Sequence, residues 1–523
     1  MILPPRAVFL ARGACLCYNT IIKQNPKYNG WEKEILMNRL SRVALAFAMC
    51  CAGVAARGNV MSVTVWRGES SSFLVSDEFP EIGGEAHGVT VRRGTLLPVR
   101  YNESVKSLEY RFVADRAVYG SKAAGLHFAT VSAAADAKAG EYDFGQLKVK
   151  VLDRVLPPPS EWKYFLDLWQ HPWAVARVNG VKPFSPEHYA AMEPLWKMLA
   201  AAGQKALTVT LVDQPWNHQC YDAYGTMIGR RRDANGKWSF DYSVFDKYVE
   251  FGRKCGLGPH IACYTMCPWG YKVDYIDADG RKVRAEARPR KPFFDEYWGD
   301  FLVDFSKHLE EKGWLKDTFI AMDERSPEDL AYIAAFVRRV APGLRIAMAG
   351  NRRPSEFKGI EIDNYSQIMH HVDRPFLDEV AARRKEGKTT TYYICCGPAR
   401  PNTFMSSGPG EAFVCGFYPA ACGLDGLLRW AYNSWGEDSN NDMTYSRWTA
   451  GDIALVYPDG SPSWRFLELK NGIVAAEKFR ILREQGGRDA ELDALAAKFD
   501  LKKLLEGTDY EGLRRAVQDA VNR

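Results

Sequence analysis

The chain has 523 residues, too many for one ordinary domain and suited to two or three. Hydrophobic residues make up 46% and charged residues 25%, a globular balance with ample core material. The net charge of +5 is small for this length, and the basic residues are scattered rather than striped, which argues against a nucleic-acid partner.

The N-terminus reads as processing signal rather than fold. Met37 is followed by Arg39 and Arg42, an apolar stretch from Val43 to Val54 and the small residues Ala55 and Ala56. This is the pattern of a secretory signal over residues 37–56, and it is too short to span a bilayer stably. Residues 1–36 have no coherent pattern and read as a non-native upstream extension. The expected location is therefore periplasmic or secreted. Lipid attachment at Cys50 or Cys51 is disfavoured because neither follows Gly or Ala. No other segment is long and apolar enough to cross a membrane. The remaining cysteines do not show metal-ligand spacing; Cys263 and Cys267 lack flanking histidines, and no metal or cofactor is expected.

From residue 58 to about 157, short alternating runs dominate, among them "VTVWRG", "GVTVRRG", "LHFATVSA" and "GQLKVKVLD". Gly, Asp and Asn separate them at short spacing with no intervening helical pattern, which predicts a β-sandwich. Pro157 to Pro159 then make a stiff boundary.

Over residues 160–440 strands alternate with helices. "YFLDLW", "KALTVTLV", "PHIACYT", "TFIAM", "LRIAMAG", "IEIDNYSQI", "TTTYYICCG" and "LLRWAYNSW" predict eight strands in series. Such alternation predicts a parallel sheet, and eight units of this length predict a closed (β/α)8 TIM barrel. The rival is an open doubly wound sheet, but no glycine-rich dinucleotide turn follows the first strand. Residues 441–523 read as a mainly helical C-terminal extension that closes the barrel.

The fourth predicted strand runs into "DERSPEDL". Ser326, Pro327 and Asp329 form a helix-start signature, so Asp323 and Glu324 occupy the strand-to-helix turn. In a barrel this turn lies on the C-terminal face, where active sites are built. Adjacent strand residues point to opposite faces, so leaving the strand is what allows both carboxylates to face one mouth. The plainer alternative is that the pair assists the helix cap or binds Arg325 or Arg429. Most glycosidases use carboxylates from different strands, roughly 5 to 9 Å apart. Neighbouring acids instead suit substrate assistance, in which one donates a proton and the other holds the substrate's 2-acetamido group. The charge of Asp323 is expected to help Glu324 stay protonated.

Together with the acid pair, "DLWQHPWAVAR", "QPWNHQCYDAYGTMI", "GKWSFDYSVFDKYV", "CYTMCPW", "LRWAYNSW" and "AGDIALVYP" resemble glycoside hydrolase family 123 over roughly residues 160–480. The preceding sandwich fits that family's N-terminal domain. The resemblance implies a retaining exo-acting N-acetyl-β-galactosaminidase using substrate-assisted catalysis. It implies Asp323 as the residue that orients the acetamido group and Glu324 as general acid/base, with a terminal N-acetylhexosamine glycan as substrate. One departure is that relatives often carry Pro directly after the pair, whereas Arg325 stands here and Pro comes at 327.

Further candidates for sugar contact lie near the predicted strand ends. They are His171, Trp216, Asn217, Tyr264, Trp269, Tyr365, Trp430, Tyr432 and Asn433. Packing is an equally good account of each one taken singly. Strand alternation puts Trp430 and Tyr432 on one face and Asn433 on the other, so all three line the mouth only if the strand ends between them. Two rival functions are a catalytically inactive carbohydrate-binding barrel, which the intact acid pair opposes, and metal-dependent hydrolysis, for which no ligand cluster is evident.

Overall fold

A computed structural model describes residues 55–57, 60–75, 82–102, 109–121, 123–357 and 359–523. Residues 1–36 and the segment from Met37 to Val54 lie outside the described residues, and so does most of the proposed signal; Ala55–Arg57 form a short strand paired with Val60–Arg67.

The N-terminal strands make two sheets. One orders Ala55–Arg57, Val60–Arg67, Leu147–Val155 and Gly140–Asp143, with the central pair parallel. The other is antiparallel and orders Ser70–Val75, Leu126–Ala133, Val89–Tyr101 and Gly84–Ala86, with Arg111–Tyr119 added on Val89–Tyr101. Met61, Val65, Phe73, Val89, Val131 and Val149 fill the space between them. Alternation puts these residues on the inner faces, as two packed sheets require.

Eight parallel strands follow: β1 (Phe165–Leu168), β2 (Ala206–Thr210), β3 (His260–Tyr264), β4 (Thr318–Met322), β5 (Arg345–Gly350), β6 (Asn364–Ile368), β7 (Thr389–Ile394) and β8 (Gly426–Arg429). Backbone ladders run from β2 through β3 to β8 and on to β1. The last seam, between β1 and β2, is closed differently. The Lys205 amide donates to the Leu166 carbonyl at 2.9 Å. Beyond it, the buried Gln204 side chain accepts from the Leu168 amide at 3.0 Å and donates to the Leu168 and Ala206 carbonyls at 3.2 and 2.7 Å. The side chain of Gln170, also buried, accepts from the Thr208 amide at 2.9 Å, and the Gln170 backbone amide donates to Thr208 Oγ1 at 3.2 Å. Two side-chain amides thus replace the missing rungs. Buried backbone groups must be paired, and a Gln amide offers the same donor and acceptor chemistry as a peptide.

Two hairpins, Gly229–Arg232 with Trp238–Asp241 and Lys272–Ile276 with Lys282–Glu286, join into a small sheet on the loops after β2 and β3. The simple alternation of strands and helices read from the sequence does not contain these hairpins. The turns were nonetheless signalled by Asn235-Gly236 and Asp279-Gly280, which suit tight hairpins.

The C-terminal helix Trp464–Gln485 is buried along most of its length, between the sandwich and the helix Glu411–Cys422. Buried polar contacts tie it to the sandwich. Lys478 pairs with Glu69, Arg465 with Asp115 at 3.0 Å, and Asn471 bonds both the amide and the carbonyl of Ser72 at 3.1 and 2.7 Å. Residues 441–463, expected within the helical extension, are instead irregular chain, and helices begin at Trp464.

Gln204→Ala would leave the buried Leu168 amide without its acceptor and leave the Leu168 and Ala206 carbonyls only the Gln170 side chain as a side-chain donor. We expect a loss of about 2–4 kcal/mol in unfolding free energy, read from urea transitions. A change within about 0.5 kcal/mol would show that the seam does not rely on this side chain.

Candidate functional site

β4 ends at Met322, and Asp323 and Glu324 leave the ladder at once. Ser326 caps the next helix, Pro327–Val340, its Oγ accepting from the Asp329 amide at 3.2 Å, with Pro327 in the first helical position. The turn is therefore pinned at both ends. Within it the Glu324 amide donates to Asp323 Oδ1 at 2.9 Å, folding the Asp323 carboxylate back over the chain. From the end of β7, the Tyr393 hydroxyl donates to Glu324 Oε1. Both acids retain some exposure, whereas Tyr393 is buried.

Burial pushes the Asp323 carboxyl up to about 7, and the neighbouring Glu324 charge adds to the rise. The Glu324 amide, the Trp269 indole and Arg325 act the other way. The indole nitrogen has no hydrogen-bond partner in good geometry, so its contribution comes from proximity. Burial therefore leaves Asp323 partly protonated near neutral pH.

Below the acids lies a packed aromatic layer. Trp169 stacks on Trp216 at 4.9 Å between ring centres, and Tyr264 lies 4.6 and 5.2 Å from the two. All three are buried, and burial, Asp167 and Asp323 raise the Tyr264 phenol. Trp216 and Tyr264 thus support the mouth from beneath. Trp269 keeps some exposure beside Asp323. Asn217, exposed and left-handed at φ 48°, lines a polar depression on the rim with Asp213, Gln214 and His218.

Five other candidates are placed in packing. His171 is fully buried and stacked on Tyr224 at 3.7 Å; burial drives its imidazole down to about 3, so it is neutral. Asn433 accepts from the His171 amide at 2.9 Å and donates to its carbonyl at 3.0 Å, clasping the chain after β1 to the chain after β8. Tyr432 donates to the Leu195 carbonyl at 3.0 Å. Tyr365 lies in β6, where Asn364 and Ser366 face the barrel interior, so it points outward and donates to the Arg352 carbonyl. Trp430 is buried against Trp448 and donates to Asp452 Oδ1 at 3.0 Å. β8 ends at Arg429, so strand alternation does not govern residues 430–435.

Tyr393 and His370 were missed. Tyr393 lies in a run that reads simply as strand-forming residues, although the C-terminal end of a barrel strand is where functional side chains concentrate. His370 is exposed in the turn after β6, close enough for the Glu324 charge to oppose the lowering of its imidazole by burial and His371. Arg429 bonds Thr403 and Asp452 rather than the acid pair. The Arg325 guanidinium lies over the Tyr271 ring at 4.6 Å, whose ring also meets Arg288 at 4.0 Å. Among the described residues there is no group of three or more His, Cys, Asp or Glu side chains suited to holding a metal ion, and no helix long and apolar enough to cross a membrane.

A carboxyl at about 7 in the fold and near 3.8 in the unfolded chain contributes stability that is full below about pH 4 and lost as pH rises through 7. Asp323→Asn is therefore expected to be more stable than the parent at pH 8, by about 1–2 kcal/mol, with the gap closing toward pH 4. Urea unfolding at both pH values measures this; a variant less stable at pH 8 would contradict the burial argument.

Residues 169–482 match the family model described as glycoside hydrolase 123, catalytic domain. Among solved structures, a family 123 glycoside hydrolase from Clostridium perfringens, studied for glycolipid glycan hydrolysis, is 22% identical. The match covers 89% of this chain and 94% of that one, with a TM-score of 0.77. An endo-β1,6-glucanase matches more distantly, at 12% identity over 60% of this chain and 76% of that one, with a TM-score of 0.37 that carries no weight. No curated protein sequence matches the chain. With the barrel, the acid turn and a family match over more than half its length, the chain belongs to glycoside hydrolase family 123.

Proposed function

We propose that this protein is a retaining exo-N-acetyl-β-galactosaminidase in which the substrate's acetamido group is the nucleophile. The observation that carries this reading is that the two acids are consecutive residues of one turn after β4, with Tyr393 holding the second. Such neighbours are poorly placed to flank a glycosidic bond from opposite faces, but can serve an acetamido group on C2 and a leaving oxygen on the adjacent C1.

In the proposed cycle the acetamido N–H donates to Asp323, which favours the Asp323 carboxylate, and Glu324 enters the step as the general acid. The acetamido carbonyl oxygen then attacks the anomeric carbon while Glu324 protonates the departing glycosidic oxygen. The C1–O bond breaks and a cyclic oxazolinium forms. Water next attacks C1, giving its proton to the Glu324 carboxylate, and the ring opens with the β configuration retained. Positive charge grows on the acetamido group as it attacks, so Asp323 stabilises the transition state more than the bound substrate. The segment after Met37 supports release to the periplasm or beyond. The intact acid pair speaks against a purely sugar-binding role.

Glu324→Gln is expected to lose about 10² to 10⁴ in rate on substrates with poor leaving groups while partly sparing an activated nitrophenol or fluoride. Equal losses on both would remove the acid role. Asp323→Asn is expected to lower kcat strongly with KM changed by a small factor, and a thiazoline analogue of the cyclic intermediate should bind it far more weakly. Nitrophenyl β-N-acetylgalactosaminide should be hydrolysed in preference to its gluco epimer, and plain β-galactosides hardly at all. Rapid turnover of a plain β-galactoside would overturn substrate assistance, and binding of N-acetylgalactosamine with zero turnover would leave the sugar-binding reading.

A further inference from the structure

Cys395 and Cys396 follow the last residue of β7 directly, and Tyr393 stands just before them in the chain. Their Sγ atoms are 3.7 Å apart. Cys396 is exposed and Cys395 half-buried, whereas Cys220, Cys255, Cys263, Cys267 and Cys415 are buried. The loop that carries the pair is held in place. The Cys395 amide donates to the Gly397 carbonyl at 3.0 Å, and Asn402 Nδ2 donates to the carbonyls of Cys395 and Pro398 at 3.0 and 2.7 Å. The two thiols are thus kept in contact at the rim of the mouth.

We propose that Cys395–Cys396 is a covalent modification site, a vicinal dithiol that closes to a disulfide by exchange with a low-molecular-weight disulfide. Cys396, as thiolate, attacks one sulfur of the incoming disulfide, forming a mixed disulfide and releasing one thiolate. Cys395 gives up its proton and attacks Cys396 Sγ, expelling the second thiolate. Two protein thiols are oxidised and one small disulfide is reduced to two thiols. The contact with Cys395 holds the Cys396 thiol below its ordinary range, which favours the first attack at the exposed sulfur.

Closure brings the sulfurs from 3.7 Å to about 2.05 Å. Adjacent α-carbons are about 3.8 Å apart across a trans peptide, short of the roughly 4.4–6.8 Å usual for a disulfide, so the bond is strained and easily reduced. The movement falls on the chain beside Tyr393, whose hydroxyl bonds Glu324. Closure should therefore lower catalysis. That consequence rests on the proposed function; formation of the bond does not.

The test treats the full chain with oxidised glutathione and reads the peptide containing residues 395–396 by mass spectrometry, alongside hydrolysis of nitrophenyl β-N-acetylgalactosaminide. We expect that peptide to lose two hydrogens without a retained glutathione, and activity to fall about tenfold or more, as a displaced catalytic contact predicts. Dithiothreitol should restore both, and Cys396→Ser should keep its activity under oxidant. A glutathione adduct that persists on Cys396, or a pair that stays reduced, overturns the site. A closed disulfide with unchanged activity overturns its coupling to catalysis. Absence of hydrolysis before oxidation would instead refute the glycosidase reading, with the mass measurement still deciding the disulfide.

Discussion

Consecutive side chains of a β-strand point to opposite faces, so two neighbouring carboxylates can serve one pocket only where the strand has stopped. Much of this site depends on Met322 being the last residue of β4. One residue more of ladder would send one acid into the mouth and the other toward the helices. The stop is enforced from downstream, because the Ser326 cap and Pro327 commit the chain to a helix and leave Asp323 and Glu324 in the turn. The Glu324 amide then draws Asp323 over the turn, and Tyr393 fixes Glu324 from across the barrel.

Placing those groups requires a closed barrel, since β4 and β7 belong to one site only if the sheet comes round. The β1–β2 seam is the weak point of that closure, and Gln170 and Gln204 complete it with side-chain amides. The same region anchors Trp169 and His171, which carry the aromatic layer and the clasp to Asn433. Closure and the floor of the mouth are therefore one structural problem. The sandwich meets this body along the buried helix Trp464–Gln485, whose Arg465, Asn471 and Lys478 have their partners on sandwich strands or the chain beside them, and along the irregular chain before it, where Arg100 pairs with Asp442 and the Ala117 amide donates to the Pro462 carbonyl. Buried charges demand such partners, so the contacts set the helix's register against the sandwich even where they add little net stability.

The eight barrel strands and the acid turn were legible because they rest on local signals: apolar runs, caps and turn residues. The two added hairpins are equally local, marked by Asn235-Gly236 and Asp279-Gly280, but they interrupt the strand–helix alternation that identifies the barrel. Sugar-contact candidates fared differently. His171, Tyr432 and Asn433 look functional in sequence because polar and aromatic side chains near strand ends suit a sugar site. In the fold their polar groups bond the Asp222 and Leu195 carbonyls and the backbone around His171. Tyr365 fails for a geometric reason, since its place in β6 turns it away from the interior. Tyr393 shows the reverse, for nothing in "TTTYYI" distinguishes it from a packing residue until β7 is placed opposite the β4 turn.

What the sequence determined by itself was the series of elements, the fold class and the location of two acids in one turn, because each follows from contacts within a few residues of the chain. The charge state of Asp323, and the identity of both acids' neighbours, belonged to the tertiary structure. Asp323 is pushed up to about 7 by a burial that arises only when distant elements close around it. Glu324 acquires its partner from β7, 69 residues further along the chain. Desolvation and cross-barrel hydrogen bonds are properties of assembled surfaces, and no local pattern of residues encodes which side chain will be left beside which.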